Sequence, residues 1–121
     1  MNSGSYQLLI RVHRNCEIEI GKLGQVSFRK GFYVYTGSAM KNLKQRVDRH
    51  RRPKKKLHWH IDYFLADENV ELLDIRLFPS AVREECKYNQ ELIEMPGSWV
   101  PKKGLGSTDC SQCPSHLIGI R

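Results

Sequence analysis

Residues 31–60, GFYVYTGSAMKNLKQRVDRHRRPKKKLHWH, concentrate phenol, guanidinium and imidazole chemistry in one stretch. Tyr33 and Tyr35 lead into the small residues Gly37-Ser38, a basic segment follows, and the stretch closes on His58 and His60. Nine Lys/Arg lie between Lys41 and His60 against one acid, Asp48, a net of +8. The other residues hold eleven bases and twelve acids, so the chain's formal +7 comes from this stretch. A concentrated basic face is the electrostatic footprint of a polyanion binder. Lys44, Arg49, Arg51, Arg52, Lys54, Lys55 and Lys56 are therefore expected to touch a DNA backbone, with salt-sensitive and sequence-tolerant affinity. RNA would satisfy the same charges.

Two further clusters carry chemistry. In His58-Trp59-His60-Ile61-Asp62, a strand would put both histidines on one face as metal ligands. A helix would instead pair His58 with Asp62, and that is the expected case, with His58 or His60 touching phosphate. Trp59 and Tyr63 are core residues or stacking platforms for bases. Later, Cys110-Ser111-Gln112-Cys113 is a C-x₂-C step with His116 three residues on. Such a step is half of a structural zinc site, and Cys86 is the natural fourth ligand. The competing reading is small buried thiols, and four cysteines in such a chain are expected reduced or metal-bound rather than bridged.

The elements that must position these groups can be read from periodicity. Residues 6–12 (YQLLIRV) form an apolar strand, residues 17–20 alternate as a half-exposed strand, and residues 22–30 suit a hairpin. A strand over 32–36 closes at Gly37-Ser38, and Ser38 is the expected N-cap of a helix. On that helix Met40, Leu43, Val47 and His50 share the core face, with Arg46 on its rim and Arg49 further out. Residues 58–66 read as a short helix, 70–78 as a strand and 81–94 as a helix introduced by Pro79-Ser80. There Val82, Cys86, Asn89 and Ile93 share a face, with Glu85 on its rim. Residues 95–109 form a Pro/Gly-rich loop in which Asp109 is a turn former, and 116–120 close the sheet. The order predicts an α+β fold, a small mixed β-sheet flanked by helices, as one domain over residues 1–121.

Tyr35-Thr36-Gly37, then Asn42-Leu43-Lys44-Gln45-Arg46 and His50, with Gly4-Ser5-Tyr6 at the head of the first strand, resemble the GIY-YIG nuclease superfamily. With HWHID and the late GLGSTDCSQCPSHL, the chain looks like a prokaryotic branch of it whose members also occur fused to endonuclease III-type repair enzymes. The resemblance to that branch covers nearly the full length. The resemblance to proven nucleases covers residues 4–6, 35–50 and 85. It implies a GIY-YIG-like domain that hydrolyses DNA phosphodiester bonds in repair or processing, with a repair enzyme as a possible partner. Tyr6 or Tyr35 would position or deprotonate the water, and Arg46 would fork onto the scissile phosphate. Glu85 would hold one Mg²⁺ or Mn²⁺, and His50 would handle the proton or a phosphate oxygen. A long hairpin separates Tyr6 from Tyr35, where the superfamily commonly has a short link. Thr36 also stands where isoleucine is usual. Should the hairpin part the two phenols, Tyr35 must act alone. The competing functions are a DNA-binding module without turnover and a zinc-stabilised interaction domain.

Composition sets the outer bounds. At 121 residues the chain can bury a core without staples. No apolar run approaches the roughly 18 residues of a membrane span, and Met-Asn-Ser-Gly does not open a signal peptide. Cytoplasm is the expected compartment.

Overall fold

A four-stranded sheet in the order β5-β1-β4-β6 carries the molecule, with a separate two-stranded ribbon beside it. The structure is a computed structural model and describes residues 1–106 and 113–120. β1 (Gly4–Val12) and β4 (Gly31–Ala39) pair over nine residues, from Gly4↔Ala39 to Val12↔Gly31. β5 (Val70–Pro79) lies on the other side of β1, and β6 (Leu117–Ile120) pairs with β4. β2 (Cys16–Glu19) and β3 (Gln25–Phe28) form the ribbon.

The α+β class is as expected, but the sheet is not mixed: every ladder among the described strands is antiparallel. β4 and β5 do run parallel, as a strand–helix–strand order suggests. β1 lies between them, so neither touches a parallel neighbour.

Alternation along β1 places Tyr6, Leu8, Ile10 and Val12 on the buried face, all at most 2% exposed. Phe28, Tyr33, Phe64 and Trp99 close the core away from the site, with Phe28 and Phe64 centroids 4.7 Å apart. Trp99 lies so close over Gly119 that an ideal Cβ there would be 2.2 Å from the indole. Only glycine permits that approach.

The helices begin later than periodicity predicts. β4 runs on through Gly37 and Ser38, so Ser38 is a strand residue and Met40 lies outside any helix. α1 (Leu43–Arg51) starts after Asn42, which takes the left-handed conformation at φ 56°. Asparagine tolerates that region, and its side chain makes no cap bond. The cap comes from a distant residue: Asn2 accepts the Leu43 and Lys44 N–H groups at 3.2 and 2.8 Å. α3 (Glu85–Ile93) likewise starts four residues later than expected, because Ser80 Oγ accepts the Val82 N–H and holds a turn. Val82 is consequently exposed rather than facing the core. α2 (His60–Leu65) is one short helix. No helix among the described residues is long and apolar enough to cross a membrane.

Candidate active site

β1 and β4 create the site by bringing Tyr6 opposite Gly37 in the ladder. An ideal Cβ at Gly37 would lie 2.5 Å from the Tyr6 phenol oxygen, so the ring occupies space that only glycine leaves open. The long hairpin does not part the phenols: the rings of Tyr6 and Tyr35 stand 6.4 Å apart. Both are buried against a cavity of about 360 Å³.

Arg46 from α1 and Glu85 from α3 line the same cavity, and so do His58, Trp59, His60 and His116. Arg46 donates to the Ser38 carbonyl at 3.1 Å and lies 4.4 Å over the Trp59 ring. Arg49 also lies 4.4 Å from that ring. Trp59 is thus flanked by two guanidiniums, a cation–π arrangement that fixes where Arg46 can point.

Behind the cavity, the Tyr6 phenol meets His50 Nε2 at 2.8 Å. Burial pushes the phenol up to about 12, even against the pull of nearby Arg46. Burial and then the charge of Lys55 lower the imidazole to about 4. At neutral pH the pair is neutral on both sides. Tyr35 is raised still further from its ordinary value, by burial first and Tyr6 second.

Asp62 braces the rim. Its buried carboxylate takes both Arg49 nitrogens at 2.8 and 2.9 Å, and the backbone N–H groups of His58 and Trp59 at 2.9 and 2.8 Å. Burial acts to raise this carboxyl, but the Arg49 fork and those two N–H bonds outweigh it and hold the group below its ordinary value. The expected pairing of His58 and Asp62 on one helix face is corrected: His58 precedes α2, and Asp62 holds its backbone N–H instead. His60 accepts the Gly106 N–H at Nδ1, 3.0 Å away, and burial lowers it.

Among the described residues, Glu85 has only distant polar neighbours: Arg83 at 3.5 Å and His116 Nδ1 at 3.6 Å. Burial lowers His116 against the attraction of Glu85, so at neutral pH that contact is not an ion pair. The carboxylate keeps lone pairs for another ligand. On the far side of the same ring, His116 Nε2 lies 3.9 Å from Cys86 Sγ. Cys86, Cys113 and His116 offer ligand atoms within 4.8 Å of one another, close enough to hold a metal ion. Cys86 is disulfide-bonded, which corrects the expectation of reduced cysteines, whereas Cys16 and Cys113 are free thiols. Bridging depends on sulfur geometry that the fold creates, and cysteine spacing does not reveal it. Asp109 and Cys110 lie outside the described residues.

The basic residues divide. Arg49 is engaged by Asp62 and the Lys56 carbonyl. Lys55 donates to the Arg49 and His50 carbonyls at the end of α1, and burial lowers its ammonium. Arg51 pairs with Asp48. Lys44, Arg52, Lys54 and Lys56 are exposed, and their side chains have no ion pair among the described residues. Arg51, Arg52, Lys54 and Lys55 edge a second cleft of about 540 Å³. It is the larger hollow, but only the first combines phenols, a guanidinium, imidazoles and a carboxylate.

Sequence reasoning missed Arg83, Ser38 and Gly106 on the cavity wall, and the bracing role of Asp62. Asp62 alone had a signal, as the acid of HWHID.

A family profile described as Domain of unknown function DUF123 matches residues 5–121. No curated protein and no solved structure matches the chain.

Proposed function

Since the chain belongs to the family described as Domain of unknown function DUF123, whose description names no activity, we propose its function from the cavity itself: a metal-dependent, GIY-YIG-like endonuclease acting on DNA, in repair or nucleic-acid processing. One observation carries the reading. Tyr6, Tyr35, Arg46 and Glu85 line a single cavity although they come from four elements.

Phosphodiester hydrolysis needs a deprotonated water, neutralised charge on the phosphorus oxygens and a stabilised leaving oxygen. Arg46, aimed by Ser38 and Trp59, forks onto the phosphate. Tyr6 orients the water through its oxygen. The water's proton reaches that oxygen as the phenol passes its own to His50 Nε2, so no free phenolate forms. The charge of an incoming phosphate raises the basicity of His50 at that step. Glu85 fits an Mg²⁺ or Mn²⁺ ion, which binds through one or two carboxylates plus water and substrate oxygens, because no described residue claims its carboxylate more closely than 3.5 Å. Such an ion supplies charge neutralisation at the phosphate. Lys44, Arg52, Lys54 and Lys56 follow the DNA backbone.

A second reading, a DNA-binding module without turnover, draws on the burial that raises both phenols. A third role, zinc binding at Cys86, Cys113 and His116, requires the Cys86 disulfide to be reduced first. It would stabilise an interaction surface for a repair-enzyme partner.

The test incubates supercoiled and branched DNA with the protein and Mg²⁺ or Mn²⁺. Cutting is expected to fall about 100-fold or more in Arg46→Ala and Glu85→Gln. Salt-sensitive binding without cutting by the parent protein would overturn the hydrolase in favour of the binding module. Metal analysis of reduced protein tests zinc.

A further inference from the structure

The open edge of the sheet lies next to β1, whose Tyr6 pairs with Leu77 of β5. β5 is the end strand, and along Val70–Pro79 no strand meets its outer side among the described residues. Soluble proteins usually blunt such edges by making them short, or with charges, proline or a bulge. This one is ten residues long, has no lysine, has its proline only at the end, and carries one bulge, at Leu73.

Its middle reads Leu73-Asp74-Ile75-Arg76-Leu77. Leu73 is 41% and Leu77 45% exposed, an apolar pair left in water. The β1 ladder shifts register between Leu9 and Ile10, which leaves Leu73 with no β1 partner. The Ile75 N–H donates at 2.8 Å to the carboxylate of its own neighbour, Asp74. A side chain thus satisfies this central amide. The Arg76 side chain has no hydrogen bond or ion pair among the described residues.

We propose that β5 pairs, antiparallel, with β5 of a second copy of this chain about a twofold axis at Ile75. The segment is complementary to itself in that register. Leu73 of each copy faces Leu77 of the other, and Asp74 of each faces Arg76 of the other. Ile75 sits on the axis, where its amide exchanges the Asp74 carboxylate for the partner strand. Opposite charges facing across strands stabilise a pair, and like charges destabilise it. Moving the axis to residue 74 sets Asp74 against itself, and moving it to residue 76 sets Arg76 against itself. Charge therefore favours the register about Ile75 over these two neighbours, and the pairing is isologous and closed. The proposal stands apart from the nuclease reading, and failure of either leaves the other intact.

Sedimentation velocity of the whole chain, from micromolar to millimolar concentration, tests it. The wild type is expected to move from 14.1 kDa toward twice that mass. Asp74→Arg and Arg76→Asp should each weaken self-association about tenfold or more, because each sets like charges across the seam. The double variant D74R/R76D should restore it. An equimolar mixture of the two single variants should associate where neither does alone, since each then meets its complement. A wild type that stays at monomer mass throughout would overturn the proposal. So would single variants that associate as strongly as the wild type. Both side chains are exposed, and circular dichroism of each variant verifies folding.

Discussion

Tyr6 and His50 form a buried, uncharged pair, phenol oxygen to Nε2 at 2.8 Å, behind the wall of the candidate active site. In the proposed hydrolysis, this position lets a phenol held near 12 take part at neutral pH, because the proton has an acceptor already in place.

The same pair predicts how stability responds to pH. Burial and Lys55 hold His50 at about 4 when folded, against 6.5 when unfolded. Between those values the unfolded chain binds a proton that the folded chain refuses, so stability falls as pH drops from about 6.5 toward 4. The full effect is about 3 kcal/mol. Tyr6 acts at the other end, and stability falls as pH rises above its ordinary value of 10.0, where the unfolded phenol ionises first. Urea denaturation of wild type and His50→Asn between pH 7 and 4.5 checks the acid limb. The wild type should lose more stability over that range; equal losses would refute the argument.

Gly37→Ala should damage fold and site together. The new methyl would lie 2.5 Å from the Tyr6 oxygen, and that ring is too buried to swing aside. Overpacking of this kind costs about 1–3 kcal/mol. A lower melting temperature, with loss of DNA cutting even where the protein remains folded, is expected. A variant as stable and active as the parent would show that the ring position matters little.

Asp62→Asn should cost about 3 kcal/mol, because it removes charge from a buried carboxylate that serves Arg49 and two backbone amides. Urea midpoints measure this. Changing Arg49 to alanine at the same time should cost less than the two single losses added together, since the partners then disappear jointly.

The basic residues should separate by role. Arg52→Ala, Lys54→Ala and Lys56→Ala should each lower the salt slope of DNA binding by about one and leave stability unchanged. Lys55→Ala should instead destabilise the protein, because its ammonium caps the last carbonyls of α1. Titrations at several salt concentrations, beside melting curves, tell the two groups apart.

The α+β class, the alternating core of β1 and the placement of charge were legible in the sequence because each is local: period-two burial and a count of lysines and arginines suffice. The helix starts were not legible. Asn2 caps α1 from more than forty residues away, and Ser80 holds the turn before α3, so Ser38 as a cap and residue 81 as a helix start were plausible by local rules alone. Arg46 and Glu85 could be read as rim residues of separate helices. That they share a cavity with Tyr6 and Tyr35 depends on a nine-residue ladder that sets Tyr6 over Gly37. The sequence by itself determined which faces are apolar and where the positive charge lies. Tertiary structure alone decided which charged groups are bound up, as Arg49 and Lys55 are, and which remain open to a ligand. Pairing depends on distance across the fold, and that distance is set by strand register and buried volume, which spacing along the chain does not encode.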